Sequence, residues 1–311
     1  INNCNMTLTQ LSYMIAVAEA GNFTVAAEQV FVTQPTLSMQ IQKLEDELGV
    51  QIFNRTKKPI RLTKVGEQIL QQARNILAEA KRMDDIVAQE KGFIGGEFKL
   101  GIIPTVMPTL LPMFLNTFVN KHPKINLKIQ ELNTDNIISQ LKEGKIDAGI
   151  AATPLKYDNI EERPLYYEPF VGYIPEQHRL NKVEQLSQED LQDENILVLE
   201  EGHCFRNQAL SFCSLKKNNA FDLKSGSFET LINLSNEGLG MTLVPYLNTL
   251  NLSRENKAKL KYFQDPPPAR EISLVFPKSQ LKIQIIDALQ KAIEGIIRGA
   301  IVIENVKIIS P

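Results

Sequence analysis

The chain has no tryptophan and only three cysteines in 311 residues, which at this length excludes a small disulfide-stapled scaffold. No run reaches the roughly 18 to 20 uncharged apolar residues of a membrane-spanning helix. Even the apolar stretch from Ile285 to Ile309 is broken by Asp287, Lys291, Glu294, Arg298, Glu304 and Lys307. A basic segment leading into an apolar one is missing from Ile1 to Gln10, so a secretory signal is not expected and a reducing, cytoplasmic setting is. Ile1 to Asn5, with Cys4, are read as standing ahead of a native start at Met6. A Ser/His/Asp set, an HExxH pair and a phosphate-binding loop are absent too, and with them the usual marks of hydrolase, metalloprotease and nucleotide chemistry.

What is present suits a folded protein of two or more domains, since one hydrophobic core rarely extends over a chain this long. Hydrophobic residues make up 43% and charged ones 23%, which argues against extended disorder. The net charge of -2 carries no global signal for nucleic acid, but its distribution does. Between Asn54 and Lys64 stand Arg55, Lys57, Lys58, Arg61 and Lys64 with no carboxylate, a local patch suited to phosphates or, more simply, a solvated turn.

Leu8, Leu11, Ile15 and Ala18 predict a helix over 7–20 ended by Gly21, and a second short helix over about 24–30 has Thr24 as a possible cap. A third over 34–48 has Thr33 as cap, Pro35 in the first turn and Gly49 at its end. Leu37, Ile41, Leu44 and Leu48 form its buried stripe, leaving Thr36, Ser38, Met39, Gln42 and Lys43 outward. Helix, tight turn and a helix with small hydrogen-bonding residues outward suits a major-groove reader, because hydroxyls and amides reach base edges there. The flanks of the basic stretch, 51–53 and 60–62, read as a short hairpin beside that helix. The segment resembles the winged helix-turn-helix of LysR-type transcription regulators, through Phe23 to Gln42 with Ala26-Ala27 and Thr33-Gln34-Pro35-Thr36-Leu37-Ser38, then Leu44-Glu45 and Leu48-Gly49. The expected DNA contacts are Thr33, Gln34, Pro35, Thr36, Ser38, Gln42 and Lys43 from the helix, and Arg55, Lys57, Lys58 and Arg61 to phosphates.

Ile69, Ala73, Ile76, Ala80, Met83 and Val87 then recur with a period of about 3.5, a seam that calls for a partner helix or for the chain's own domain. Pairing with a twin would set two recognition helices at a fixed spacing. Beyond it, strands and helices alternate as βαβ, which predicts a parallel, doubly wound sheet. The order of elements resembles the LysR regulatory domain, an α/β unit of two periplasmic-binding-protein-like subdomains. The expected division is a mainly α winged helix-turn-helix domain at 6–64, a dimerising linker helix at 65–91, a hinge at 92–96 and a regulatory domain at 97–311. Its first subdomain covers about 97–166 and 270–299, and its second about 167–269. Thr105 and Thr134 fall just beyond strand ends, where ligands sit in such sheets or where helices are simply capped.

Two cysteines remain, in Gly202-His203-Cys204-Phe205-Arg206-Asn207-Gln208-Ala209-Leu210-Ser211-Phe212-Cys213. Zinc would need further ligands, and His203 is the only other soft one nearby; no metal and no cofactor is expected. Inert buried thiols are the plain reading. Cys204, however, stands at a predicted helix start, where the dipole with His203, Arg206 or another cation favours a thiolate, making it the expected nucleophile. If the intervening residues are helical, Cys213 is about 13 to 14 Å further along the axis. A disulfide, which needs Cα atoms roughly 4.4 to 6.8 Å apart, then requires unwinding.

The same residues resemble the OxyR-type hydrogen-peroxide sensors of the LysR family, through Gly202-His203-Cys204, Arg206, Gln208-Ala209, Phe212-Cys213 and Gly101-Ile102-Ile103-Pro104-Thr105-Val106. That resemblance implies Cys204 as peroxidatic and Cys213 as resolving cysteine, with Thr105, Thr134, His203 and Arg270 as the peroxide pocket. Asn207 departs from the acid expected there. It further implies an activator of oxidative-stress genes rather than an enzyme. The implied partners are an operator in double-stranded DNA, hydrogen peroxide, RNA polymerase, a thiol reductant and the chain itself as homodimer and homotetramer. The rival readings are a LysR-type regulator of a small metabolite with structural cysteines, a thiol peroxidase with a DNA-binding arm, and a solute-binding module.

Overall fold

The structure, a computed structural model, describes residues 6–56, 58–90, 95–192, 194–212, 224–301 and 306–311. Of the expected hinge, residues 92–94 lie outside these, as do residues 1–5. Two compact units divide at residues 93 and 94.

In the first, Thr7 opens α1 (Leu8–Ala20) by accepting from the Gln10 amide while the Gln10 side chain accepts from the Thr7 amide, a reciprocal capping box. Gly21 ends it with φ 60°, where a side chain would be strained. α2 (Phe23–Gln29) is capped by Asn22, whose Oδ1 accepts from the Thr24 and Val25 amides. This corrects Thr24 as the cap: Thr24 already lies inside the helix. α3 (Gln34–Leu48) starts behind Thr33, holds Pro35 in its first turn and ends at Gly49. Leu37, Ile41 and Leu44 are fully buried, in one core with Leu11, Met14, Ala26 and Phe53, while Leu48 is half-buried at its edge. β1 (Phe53–Asn54) and β2 (Arg61–Leu62) pair antiparallel, Phe53 opposite Leu62, and make the expected wing.

α4 (Lys64–Glu90) carries the long seam. Its first half packs on the unit's own core: Ala73 is buried there, with Ile69 and Ile76 against it. Ala80 is half-buried, whereas Met83 and Val87 are 67% and 53% exposed. The seam is therefore not one continuous partner-facing stripe. Ile69, Ala73 and Ile76 cover the helix-turn-helix, and of the seam residues Met83 and Val87 in the later turns present apolar surface.

The second unit opens with β3 (Gly96–Ile102), α5 (Met107–Lys121), β4 (Ile125–Glu131), α6 (Thr134–Lys142) and β5 (Ala148–Thr153). Next come β6 (Ile160–Tyr173), β7 (Ile196–Leu197), α7 (Cys204–Phe212), α8 (Phe228–Asn236), β8 (Met241–Pro245), α9 (Tyr246–Leu250) and α10 (Arg254–Lys257). β9 (Leu260–Tyr262), β10 (Pro268–Pro277), α11 (Ile283–Ala300) and β11 (Lys307–Ile308) complete it. The sheet order is β4-β3-β5-β10-β6-β8-β7, with β9 beside β6 and β11 beside β10. β3 is parallel to β4 and β5, but β10 is antiparallel to β5 and β6, and β6 to β8. The parallel sheet expected from the βαβ alternation is thus corrected to a mixed one. The reason is the two crossings: β6 leaves the first subdomain and β10 returns to it, each adding a reversed strand. β6 pairs with β10 as far as Pro169 and with β8 from Phe170 onward, so one strand serves two sheets and two cores. Among the described residues no helix is long and apolar enough to cross a membrane.

Candidate redox and nucleic-acid sites

Strand register builds the first site. It sets Arg270 of β10 opposite Glu168 of β6, both buried, where the Arg270 Nε and Nη2 donate to Glu168 Oε2 at 2.9 and 2.7 Å. The remaining carboxylate oxygen, Glu168 Oε1, accepts from the Leu247 amide in the first turn of α9. Past β3, the turn over Pro104–Val106 buries Thr105, whose hydroxyl and carbonyl accept from Arg270 Nη1 and Nη2 at 2.8 and 3.1 Å. The guanidinium carbon also stands 5.2 Å from the centre of the Phe205 ring, a cation–π contact to the residue after Cys204.

Gly202, at φ 93°, makes the turn into α7. A side chain there would begin 4.0 Å from Asn133 Nδ2, so the turn lies against the start of α6. Cys204 begins α7, half-buried, with a free thiol. Burial pushes this thiol above the ordinary cysteine value; the Arg270 charge, the Thr134 hydroxyl and the Phe205 and Cys204 amides pull it down without offsetting burial. Thr134 Oγ1 is itself buried without a hydrogen-bond partner, close enough to the thiol to favour its charged form. The expected lowering at the helix start is therefore corrected in sign. The cation involved is not Arg206, whose Nη1 donates to the Leu199 carbonyl at 2.7 Å, but Arg270, 66 residues away in sequence.

Thr105, Thr134, Cys204 and Arg270 are thus brought together. Next to Cys204, His203 has its Nδ1 buried without a hydrogen-bond partner, and its Nε2 lies 3.1 Å from where a side chain on Gly226 would begin. Asn207 is exposed, and Cys213 lies outside the described residues. Glu168 and Phe205, which hold Arg270, were not among the expected site residues; only strand register, invisible in one sequence, could have found Glu168. The arrangement holds a thiol protonated while keeping a cation, a hydroxyl and amides ready for the charge a nucleophilic sulfur carries.

On the first unit, Thr33, Gln34, Pro35, Thr36, Met39 and Lys43 are exposed along one side of α3, with Ser38 and Gln42 half-buried. Gln42 donates to Asp46 at 2.8 Å. Lys58 and Arg61 project from the wing, and Lys57 lies outside the described residues. Arg55 is engaged elsewhere. Its Nη2 donates to the buried Glu45 at 2.7 Å, and its guanidinium stacks 5.3 Å over Phe23. Glu45 Oε1 also accepts from the Ile52 and Phe53 amides, so Glu45 ties the wing to α3. Arg55 thus braces the wing while remaining exposed at its surface.

Two family models match: the bacterial regulatory helix-turn-helix of the lysR family over residues 8–67, and the LysR substrate binding domain over 91–294. A "Hydrogen peroxide-inducible genes activator" of Pectobacterium carotovorum is 35% identical over 296 residues, covering 93% of this chain and 98% of that protein. Among solved structures, a full-length OxyR variant from Pseudomonas aeruginosa superposes with TM-score 0.76 at 33% identity, covering 93% of this chain and 98% of that one. A peroxide-bound OxyR mutant from Corynebacterium glutamicum does so with TM-score 0.62 at 28% identity, covering 94% and 93%. With recognition helix, wing and two-lobed α/β unit in the same order as in these proteins, the chain belongs to the LysR family, among its OxyR-type members.

Proposed function

We propose that the chain is a transcription regulator that senses hydrogen peroxide through Cys204 and activates oxidative-stress genes. The observation that carries this is the placing of Arg270, held by Thr105, and of Thr134 beside the half-buried Cys204 thiol, in a chain whose relatives are named for peroxide. The Cys204 sulfur attacks a peroxide oxygen, the O–O bond breaks, and water leaves a sulfenic acid. Cys213 then attacks that sulfur, a second water leaves, and the disulfide holds the two electrons' worth of oxidation. One peroxide is consumed per switch, so this is signalling and not turnover.

In the same reading, residues 6–64 bind a double-stranded operator and 65–91 pair two chains through the exposed Met83 and Val87. Residues 92–96 are the hinge and 97–311 the sensor, with subdomains at about 97–166 with 270–299 and at about 167–269. Thr33, Gln34, Pro35, Thr36, Ser38, Gln42 and Lys43 meet the groove, and Lys57, Lys58 and Arg61 meet phosphates. Thr105, Thr134, His203 and Arg270 line the peroxide pocket. The chain works in the cytoplasm as a homotetramer of two dimers, recruits RNA polymerase in one state and is reset by a thiol reductant. A Cys204→Ser variant tests the sensor: loss of peroxide-dependent transcription with operator binding intact is expected. An unchanged response would return the cysteines to packing and favour a metabolite as the signal.

A further inference from the structure

Ile309 bonds to both walls of the thiol site. β11 lies parallel on β10, with Pro268 opposite Lys307 and Ala269 opposite Ile308. The Ile309 amide, next along, donates to the Ala269 carbonyl at 2.7 Å, immediately before Arg270. In the other direction, the Ile309 carbonyl accepts at 2.8 Å from Nε2 of the fully buried Gln208, four residues after Cys204 and so one turn along α7. The Ile309 side chain is buried in the core that holds Phe205 and Ala209, both on α7. A single residue thereby fastens the helix of the thiol to the strand of the cation. The other end of that amide, Gln208 Oε1, is buried without a partner among the described residues.

We propose that Ile309 is a positioning residue, a clamp that holds α7 helical against β10 in the reduced protein and must let go when Cys204 bonds to Cys213. The step rests on the peroxide reading above: two thiols give up two electrons and two hydrogens, peroxide becomes two waters, and one S–S bond forms. Unwinding α7 carries Gln208 away from Ile309. Contacts that exist only in the reduced form stabilise it against the disulfide, so loosening them moves the equilibrium toward oxidation.

The test uses the full chain with Ile309→Ala, which removes the buried side chain from the α7 core while keeping its backbone bonds, and with Gln208→Leu, which removes the bond to the Ile309 carbonyl from the α7 side while keeping bulk. Two quantities are read: amide hydrogen exchange of the reduced protein over 204–212, and the dithiol–disulfide equilibrium in glutathione buffers. Both variants should exchange about tenfold faster over α7, with the first unit and α5 unchanged. Their equilibrium should shift about tenfold toward the disulfide, a potential about 30 mV more negative. Unmoved α7 exchange overturns the clamp, as does faster exchange with an unmoved potential, which would make Ile309 a packing residue only. Faster exchange spread evenly over the second unit also overturns it. Should the wild-type chain form no Cys204–Cys213 disulfide in any buffer, the peroxide reading itself fails, an outcome separate from a wild-type disulfide with unmoved exchange in the variants.

Discussion

The helix-turn-helix and the thiol site differ in how far their parts travel to meet. From cap to wing, the DNA-reading face comes from residues 33–61, and its internal brace, Glu45 with Arg55, spans ten residues. The thiol site draws Thr105 from a turn and Thr134, Glu168, Cys204 and Arg270 from four separate elements, and its central bond joins residues 165 apart. A local site is built by caps and periodicity; a distributed one by strand register. The two should therefore fail differently when their buried carboxylates are removed.

Glu168→Ala should show the largest effect, since it leaves the Arg270 charge buried with only Thr105. A loss of about 3–5 kcal/mol is expected in urea unfolding followed by a probe in the second unit. In the first unit, Glu45→Ala frees two buried amides but leaves Arg55 able to reach water, so about 2–3 kcal/mol is expected by the same measurement. Equal losses would erase the distinction between the two sites. Thr36→Ala should cost operator affinity by about 1–3 kcal/mol at one base pair while leaving non-specific binding unchanged. Lys58→Ala and Arg61→Ala should each reduce the salt slope of DNA binding by about one, whereas Arg55→Ala should leave the slope unmoved and cost about 1 kcal/mol or less of stability. A slope change for Arg55→Ala would place it among the phosphate contacts.

The smallest effect concerns pH. Because burial raises the folded thiol above its unfolded value of about 8.5, the folded state keeps the proton longer than the unfolded one. Stability from this source is complete below that pH and falls as pH climbs past it. The melting temperature of the wild type should thus drop more steeply between pH 8 and 10 than that of Cys204→Ser. Parallel profiles would mean that the thiol is not held in its protonated form.

The same contrast explains what a single sequence could convey. Helix α3, with Thr33 before it and Gly49 after it, was legible because capping is a matter of a few neighbouring residues. So was Cys204 at a helix start. Proximity in sequence left the cation open: Arg206, two residues from Cys204, bonds to Leu199, while Arg270, which the local pattern could not single out, comes from β10. Glu168 and Ile309 have no local pattern at all; they matter through partners 102 and 101 residues distant. The sheet misled for a related reason, since βαβ periodicity reports each strand's neighbours in sequence and not the strands that cross between subdomains.

The most direct test is peptide mapping under non-reducing conditions, before and after a stoichiometric hydrogen peroxide pulse, with operator footprints taken from the same samples. A Cys204–Cys213 linked peptide appearing with the pulse, and a footprint that shifts in step with it, is the result that follows from this account. Oxidation of other thiols with Cys204 unlinked and the footprint unmoved would contradict it.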